Sequence, residues 1–313
     1  MTRYLLPYLQ LVGWVGLPVA AGAALAARGR RHWSRPLFAF ALYACYTPIV
    51  VLATWVARLA GSAFYLPILT LSGWMITAGL SWAMSRGLRH GARPRGAFIM
   101  SMAISNHGYT LLGIVAFILF GETGLAQATY AQLLFVPFFV FCCFPIARYY
   151  SQGEVRLTRR EFLQRSFLDP RNLPLLAMLA GLWLNRTGLP RPACFAPVLQ
   201  VLVYLGVVVS GLAVGLLYRP SAVERYAREN ALVFLYRCSA YPLLFWALGR
   251  LLHLDPLDAK VLVLFGLVPS GLYASLTADL FGLDTDLTSS VFVVSTALFL
   301  FVVLPAYVLV AGR

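Results

Sequence analysis

The sequence predicts an all-α membrane protein: ten transmembrane helices in two inverted five-helix repeats, with helices 4 and 9 broken and crossed. Three observations predict it. The chain has 313 residues, of which 60% are hydrophobic and only 12% charged, about half the charge of an ordinary soluble domain. A soluble globule of this size cannot hide so much apolar surface. The apolar residues fall into ten runs, most of them near the 20 or so residues that a helix needs to cross a bilayer. The longest break, Arg148–Asn172, leaves five runs on each side. Five is odd, so the second half enters the membrane from the opposite face, which is the arithmetic of an inverted repeat.

The runs are Leu5–Ala27, Pro36–Val56, Tyr65–Met84, Ala97–Phe120, Leu125–Ile146, Leu173–Leu184, Phe195–Leu217, Ala231–Leu252, Ala259–Phe281 and Leu287–Val310. The first is too long for the apolar core of a signal peptide. The sixth is short and is expected to begin earlier, near Phe167. The chain divides into repeats 1–150 and 151–313. Orientation follows from Arg and Lys in the breaks. Seventeen basic residues fall after runs 1, 3, 5 and 7, and seven fall in the other breaks and at the ends. The first set is expected to be cytoplasmic, with both termini outside the plasma (inner) membrane. The break after run 9, with Asp284 and Asp286, departs from the rule. The net charge of +14 therefore reads as topology and contact with lipid, not as nucleic-acid binding. The segment Arg156–Arg165 reads either as an amphipathic surface helix on anionic lipid or as a solvated loop.

Two runs are interrupted near their middles. Run 4 carries Ser105-Asn106-His107-Gly108-Tyr109-Thr110, and run 9 carries Pro269-Ser270-Gly271-Leu272-Tyr273. Irregular backbone at membrane depth is tolerated only where protein encloses it or it lines a cavity. Matching interruptions in the two halves point to a transporter's binding site. Helix N-termini formed at such breaks attract carboxylates. The substrate-binding candidates are therefore Asn106, His107, Gly108, Tyr109, Pro269, Ser270, Gly271 and Tyr273. A weak internal echo supports the pairing: Leu119-Phe120-Gly121 returns as Leu280-Phe281-Gly282. Three residues, His107 among them again, are candidates for coupling or gating. His107 is the one histidine inside a run, and imidazole titrates near neutral pH. Arg237 lies in run 8, roughly 12 Å beyond Glu229 along a helix; it is expected either to snorkel to the interface or to face the cavity. Asp279, near the end of run 9, is expected to pair with an Arg or close a gate.

No catalytic constellation and no phosphate-binding loop is present, so neither an enzyme nor direct ATP coupling is expected. The five cysteines match no metal spacing and suggest no disulfide framework; they read as small apolar fillers. No metal and no cofactor is expected.

The end of the chain resembles the auxin efflux carrier family, which shares its fold with the bile acid:sodium symporters. The resemblance rests on Pro269-Ser270-Gly271, Ala278-Asp279, Gly282, Asp284, Asp286-Leu287, Ser289-Ser290 and Ser295-Thr296. Asn106-His107-Gly108-Tyr109, Gly124-Leu125-Ala126 and Leu184-Asn185 with Gly188-Leu189-Pro190 add to it. Runs 1–3 match in pattern alone. Gly113 stands where the family often has Pro, and Tyr273 where it often has Asn, so the substrate's shape is expected to differ. The resemblance implies a scaffold domain of spans 1, 2, 6 and 7 and a transport domain of spans 3–5 and 8–10. It also implies elevator-like alternating access, and a homodimer formed through the scaffold helices. The expected function is carriage of a small organic anion, coupled to protons, to sodium or to neither. The alternatives are a receptor that binds a small carboxylate without moving it, and a sodium-coupled importer like the bile acid symporters.

Overall fold

The computed structural model describes residues 2–59, 61–107, 111–151, 173–217 and 220–311. Among these every regular element is helical, and the protein is an all-α membrane protein. Among the described residues six helical stretches are long and apolar enough to cross a bilayer: Arg31–Trp55, Gly61–Gly87, Leu112–Tyr150, Phe195–Gly215, Ala227–Leu251 and Thr285–Leu309.

In chain order the elements are α1 (Thr2–Ala27), α2 (Arg31–Trp55), α3 (Gly61–Gly87), α4 (Ala92–Ala103), α5 (Leu112–Tyr130), α6 (residues 135–150), α7 (Leu173–Arg186) and α8 (Phe195–Gly215). The short α9 (Pro220–Arg225) precedes α10 (Ala227–Leu251), α11 (Pro256–Leu267), α12 (Leu272–Phe281) and α13 (Thr285–Leu309). The expected start of run 6 near Phe167 and the Arg156–Arg165 segment lie outside the described residues.

Runs 4 and 9 are broken where the sequence places the breaks. α4 and α11 are 12 residues each. The chain then leaves helical geometry and resumes as α5 and α12. α5 carries a second interruption at Gly121 (φ 70°, ψ −162°), backbone that is open essentially to glycine alone. Gly282, which ends α12, is left-handed at φ 62°. These two glycines lie 161 positions apart.

Prolines explain the other irregularities. Three turns are wound wide as π-helix: Ala41–Tyr46 in α2, Phe139–Cys143 in α6 and Phe299–Val303 in α13. Each runs directly into Thr47-Pro48, Phe144-Pro145 or Leu304-Pro305. Proline donates no N–H, and its ring collides with the carbonyl four residues back. A widened turn moves that carbonyl aside without ending the helix. The π turns of α6 and α13 begin 160 positions apart.

Packing sorts the helices into two sets. α1 packs along α8, and α7 along α2, with α8 also against α2. α1 and α8 meet backbone to backbone: a Cβ on Gly22 would lie 2.2 Å from the Leu212 carbonyl, and one on Gly215 2.1 Å from that of Val19. Small residues permit such approaches where lipid supplies no hydrophobic drive. The second set is α3, α4, α6 and α10–α13; α5 touches both, and α13 also meets α1. The outward faces carry Leu17, Trp82, Phe141, Trp183, Val201, Leu243 and Trp246, all exposed and suited to lipid.

Candidate functional site: the crossing of the two breaks

A helix broken inside a membrane leaves peptide groups without partners. Here the two breaks supply one another. Asn106 N donates to Pro269 O at 2.7 Å, and Gly271 N donates to Ile104 O at 2.7 Å. Ser105 and Ser270 face each other between them as a single antiparallel bridge. Pro269 has no N–H to satisfy. Ser270 N donates to Ser295 Oγ of α13 at 3.2 Å, and Ser270 Oγ to the Ser101 carbonyl of α4 at 2.8 Å. The approach requires glycine at 271, where a Cβ would lie 2.4 Å from Ser105 O.

Arg237 reaches this crossing from α10. It is 2% exposed, so it does not snorkel: it points inward, not to the interface. Its Nη1 donates to Ser105 Oγ at 2.9 Å and to Val268 O at 3.0 Å, and its Nη2 to Met102 O at 2.6 Å. Met102 is in the last turn of α4, and Val268 caps the end of α11. One guanidinium thus covers the carbonyl ends of both first half-helices. The planar fork makes this possible; an ammonium presents a single point. The Tyr241 ring lies 5.8 Å from the guanidinium carbon. Nε has no hydrogen-bond partner.

The charge at the crossing follows. Two helix C-termini bring about −0.5 each and two N-termini about +0.5 each. Arg237 adds a full positive charge. The sum is about +1, and none of the residues just named as bonding at the crossing is an acid. The start of α12 at Gly271 has no side-chain cap, so N–H groups of its first turn are not spent on one.

His107 lies beside the crossing, 1% exposed. It is enclosed by Phe135 (ring centroids 4.4 Å apart), Trp74 (4.9 Å) and Phe265 (5.4 Å, stacked). Neither His107 Nδ1 nor Trp74 Nε1 has a hydrogen-bond partner, and Ser275 Oγ and Thr296 Oγ1 are also unpaired. Tyr273 borders the same aromatic group, 6.0 Å from both Phe135 and Phe139. Comparison with models of known protein families and with curated proteins gives no match to this chain. The site is read from its own chemistry.

The structure therefore brings Asn106, Pro269, Ser270, Gly271 and Arg237 together, with His107 and Tyr273 alongside. Gly108 and Tyr109 lie outside the described residues. Asp279 is elsewhere: it is exposed, 3.8 Å from Arg35 at the start of α2. Trp74, on the unbroken third run, carries no signal of a site in the sequence, and Ser295 has no role of its own there. Ser295 stood within the Ser-Thr pair already noted, but nothing in its local sequence says that it bonds residue 270.

Proposed function

We propose that the protein is a secondary transporter of a small organic anion and that the crossing is its binding site. The observation that carries this reading is the buried Arg237, held by both half-helices through Ser105, Val268 and Met102, none of them an acid. A built-in cation at this point disfavours a metal ion there and favours a carboxylate. The unpaired Trp74 and His107 nitrogens and the surrounding rings suit an aryl carboxylate as well as a dicarboxylate. A secondary carrier needs no cofactor.

The architecture that goes with this reading is ten spans in two inverted repeats, as in auxin efflux carriers. Its support is the recurrence of glycine breaks and proline-linked π turns at offsets of 161 and 160. The α1–α2–α7–α8 set corresponds to a scaffold and the other set to a moving domain. Among the described residues, two ion pairs tie a broken helix to the first set. Glu122, just past Gly121, binds Arg191, which also donates to Leu52 O of α2 at 3.1 Å. Arg35 of α2 faces Asp279 of α12. Each pair links the far end of a broken helix to the segment entering the second span of the opposite repeat. The first is close and largely shielded (side chains 8% and 33% exposed), and the second is loose and open (88% and 68%). One closed and one open latch is what alternating access requires.

The experiment is counterflow: proteoliposomes preloaded with an unlabelled carboxylate, then given a labelled trace. The reading expects trace accumulation for at least one small carboxylate. Saturable binding without exchange would make the protein a receptor instead.

A further inference from the structure

Several basic residues in the breaks meet acids within the fold: Arg58 with Asp255 at 3.0 Å, His90 with Glu229 at 2.9 Å, and Arg191 with Glu122. The turn from α1 into α2 differs. Residues 28–35 carry Arg28, Arg30, Arg31 and Arg35 and no acid; the first acid in the chain is Glu122. Arg28, Arg30 and Arg35 are exposed. Arg35 reaches Asp279 of α12, but the pair is long at 3.8 Å and open to its surroundings. Such an exposed pair contributes little.

The turn is ordered. Gly29 is left-handed at φ 78°, and Arg30 N donates to Leu25 O and Gly29 N to Ala26 O, both at 3.1 Å, which closes α1 as a Schellman motif. Trp33 N then donates to Arg30 O at 3.1 Å, and the guanidinium carbon of Arg30 lies 5.3 Å over the Trp33 ring. That contact steadies the cation without neutralising it. α1 ends at Ala27 and α2 becomes apolar from Pro36, so the arginines sit where the chain leaves the bilayer, at the level of lipid headgroups. Below them Trp33, Phe40 and Tyr43 are all exposed. Their spacing of seven and three residues puts them on one face of α2.

We propose that this turn binds one anionic phospholipid, its phosphate held by Arg28, Arg30 and Arg35 and an acyl chain laid along Phe40 and Tyr43. The guanidinium fork matches phosphate oxygens, and an arginine cluster at a span end attracts anionic lipid. A soluble anion would use the arginines and leave the aromatic stripe unused. A phosphate that engages Arg35 takes it from Asp279, so the charge of the surrounding lipid sets the looser of the two latches. Binding itself does not rest on the carrier reading; its effect on the latch does.

The test is the melting temperature of the full chain in detergent, titrated with phosphatidylglycerol, phosphatidylcholine or glycerol phosphate at fixed ionic strength. A ligand that binds only the folded state raises it saturably. Phosphatidylglycerol is expected to do so in the native chain, and the other two are not. The double variant Arg28→Gln/Arg30→Gln is expected to need at least tenfold more lipid for the same shift. Arg86→Gln removes another exposed arginine that lies over a tryptophan, and is expected to respond as the native chain does. Asp279→Asn leaves Arg35 to the lipid and is expected to respond at severalfold less lipid. An equal response to phosphatidylcholine or glycerol phosphate, an undiminished response in the double variant, or an equal loss in Arg86→Gln would overturn the site. An unchanged response in Asp279→Asn would overturn the competition for Arg35. A lipid response without any carboxylate exchange keeps the site and removes the carrier; exchange without a lipid response does the reverse.

Discussion

Arg237 is where the chemistry of the crossing concentrates. Replacing it with Gln leaves the Met102 and Val268 carbonyls and Ser105 Oγ short of a donor, at about 1–3 kcal/mol for each buried group left unpaired. Arg237→Gln is expected to lower the melting temperature and abolish carboxylate exchange. Arg237→Lys keeps the charge but cannot fork across two helix ends; exchange is expected to fall at least tenfold while the chain still folds. Exchange at the native rate in Arg237→Lys would show that the fork is not needed. Gly271→Ala is expected to disrupt the pairing of the breaks, because the new methyl group meets the Ser105 carbonyl. Thermal unfolding of that variant checks it. In the sequence Arg237 stood out as a cation inside an apolar run. Its direction was not legible, because its acceptors lie 135 and 31 positions away and no spacing along one helix encodes them.

At the scale of elements, the breaks were legible because Gly and Pro punctuate apolar runs. The π turns were not read, although each is written as an X-Pro inside a long run. Pro145→Ala and Pro305→Ala restore the missing N–H, so both are expected to tighten their helices toward regular geometry. Shifted cysteine cross-linking across Phe139–Cys143 or Phe299–Val303 would register the change in phase. The start of α13 is fixed by Asp284, which accepts from Leu287 N at 3.0 Å and from Tyr226 Oη at 2.6 Å. Burial, and then this carboxylate, push the Tyr226 hydroxyl's pKa upward, so it stays a donor at physiological pH. Asp284→Ala loses a cap worth about 1 kcal/mol and leaves the Tyr226 hydroxyl without its acceptor. A lower melting temperature is the expected result.

Across the whole molecule, the all-α membrane character was legible from hydropathy. Which helix set carries the crossing was not, since that depends on contacts between halves. The two ion pairs make the whole-molecule prediction. Glu122→Gln frees Arg191 and loosens the close latch. A cysteine placed at Asn106, in a background without native cysteines, is then expected to react several-fold faster with an impermeant thiol reagent from that face. An unchanged rate would remove Glu122 from gating. The most direct measurement is charge movement by proteoliposomes on a solid-supported membrane, challenged with aryl carboxylates and dicarboxylates, for the native chain and for Arg237→Gln in parallel. The account predicts sustained currents for a carboxylate class in the native chain and their loss in the variant. No current from folded, inserted protein with any carboxylate, or equal currents in both, would contradict it.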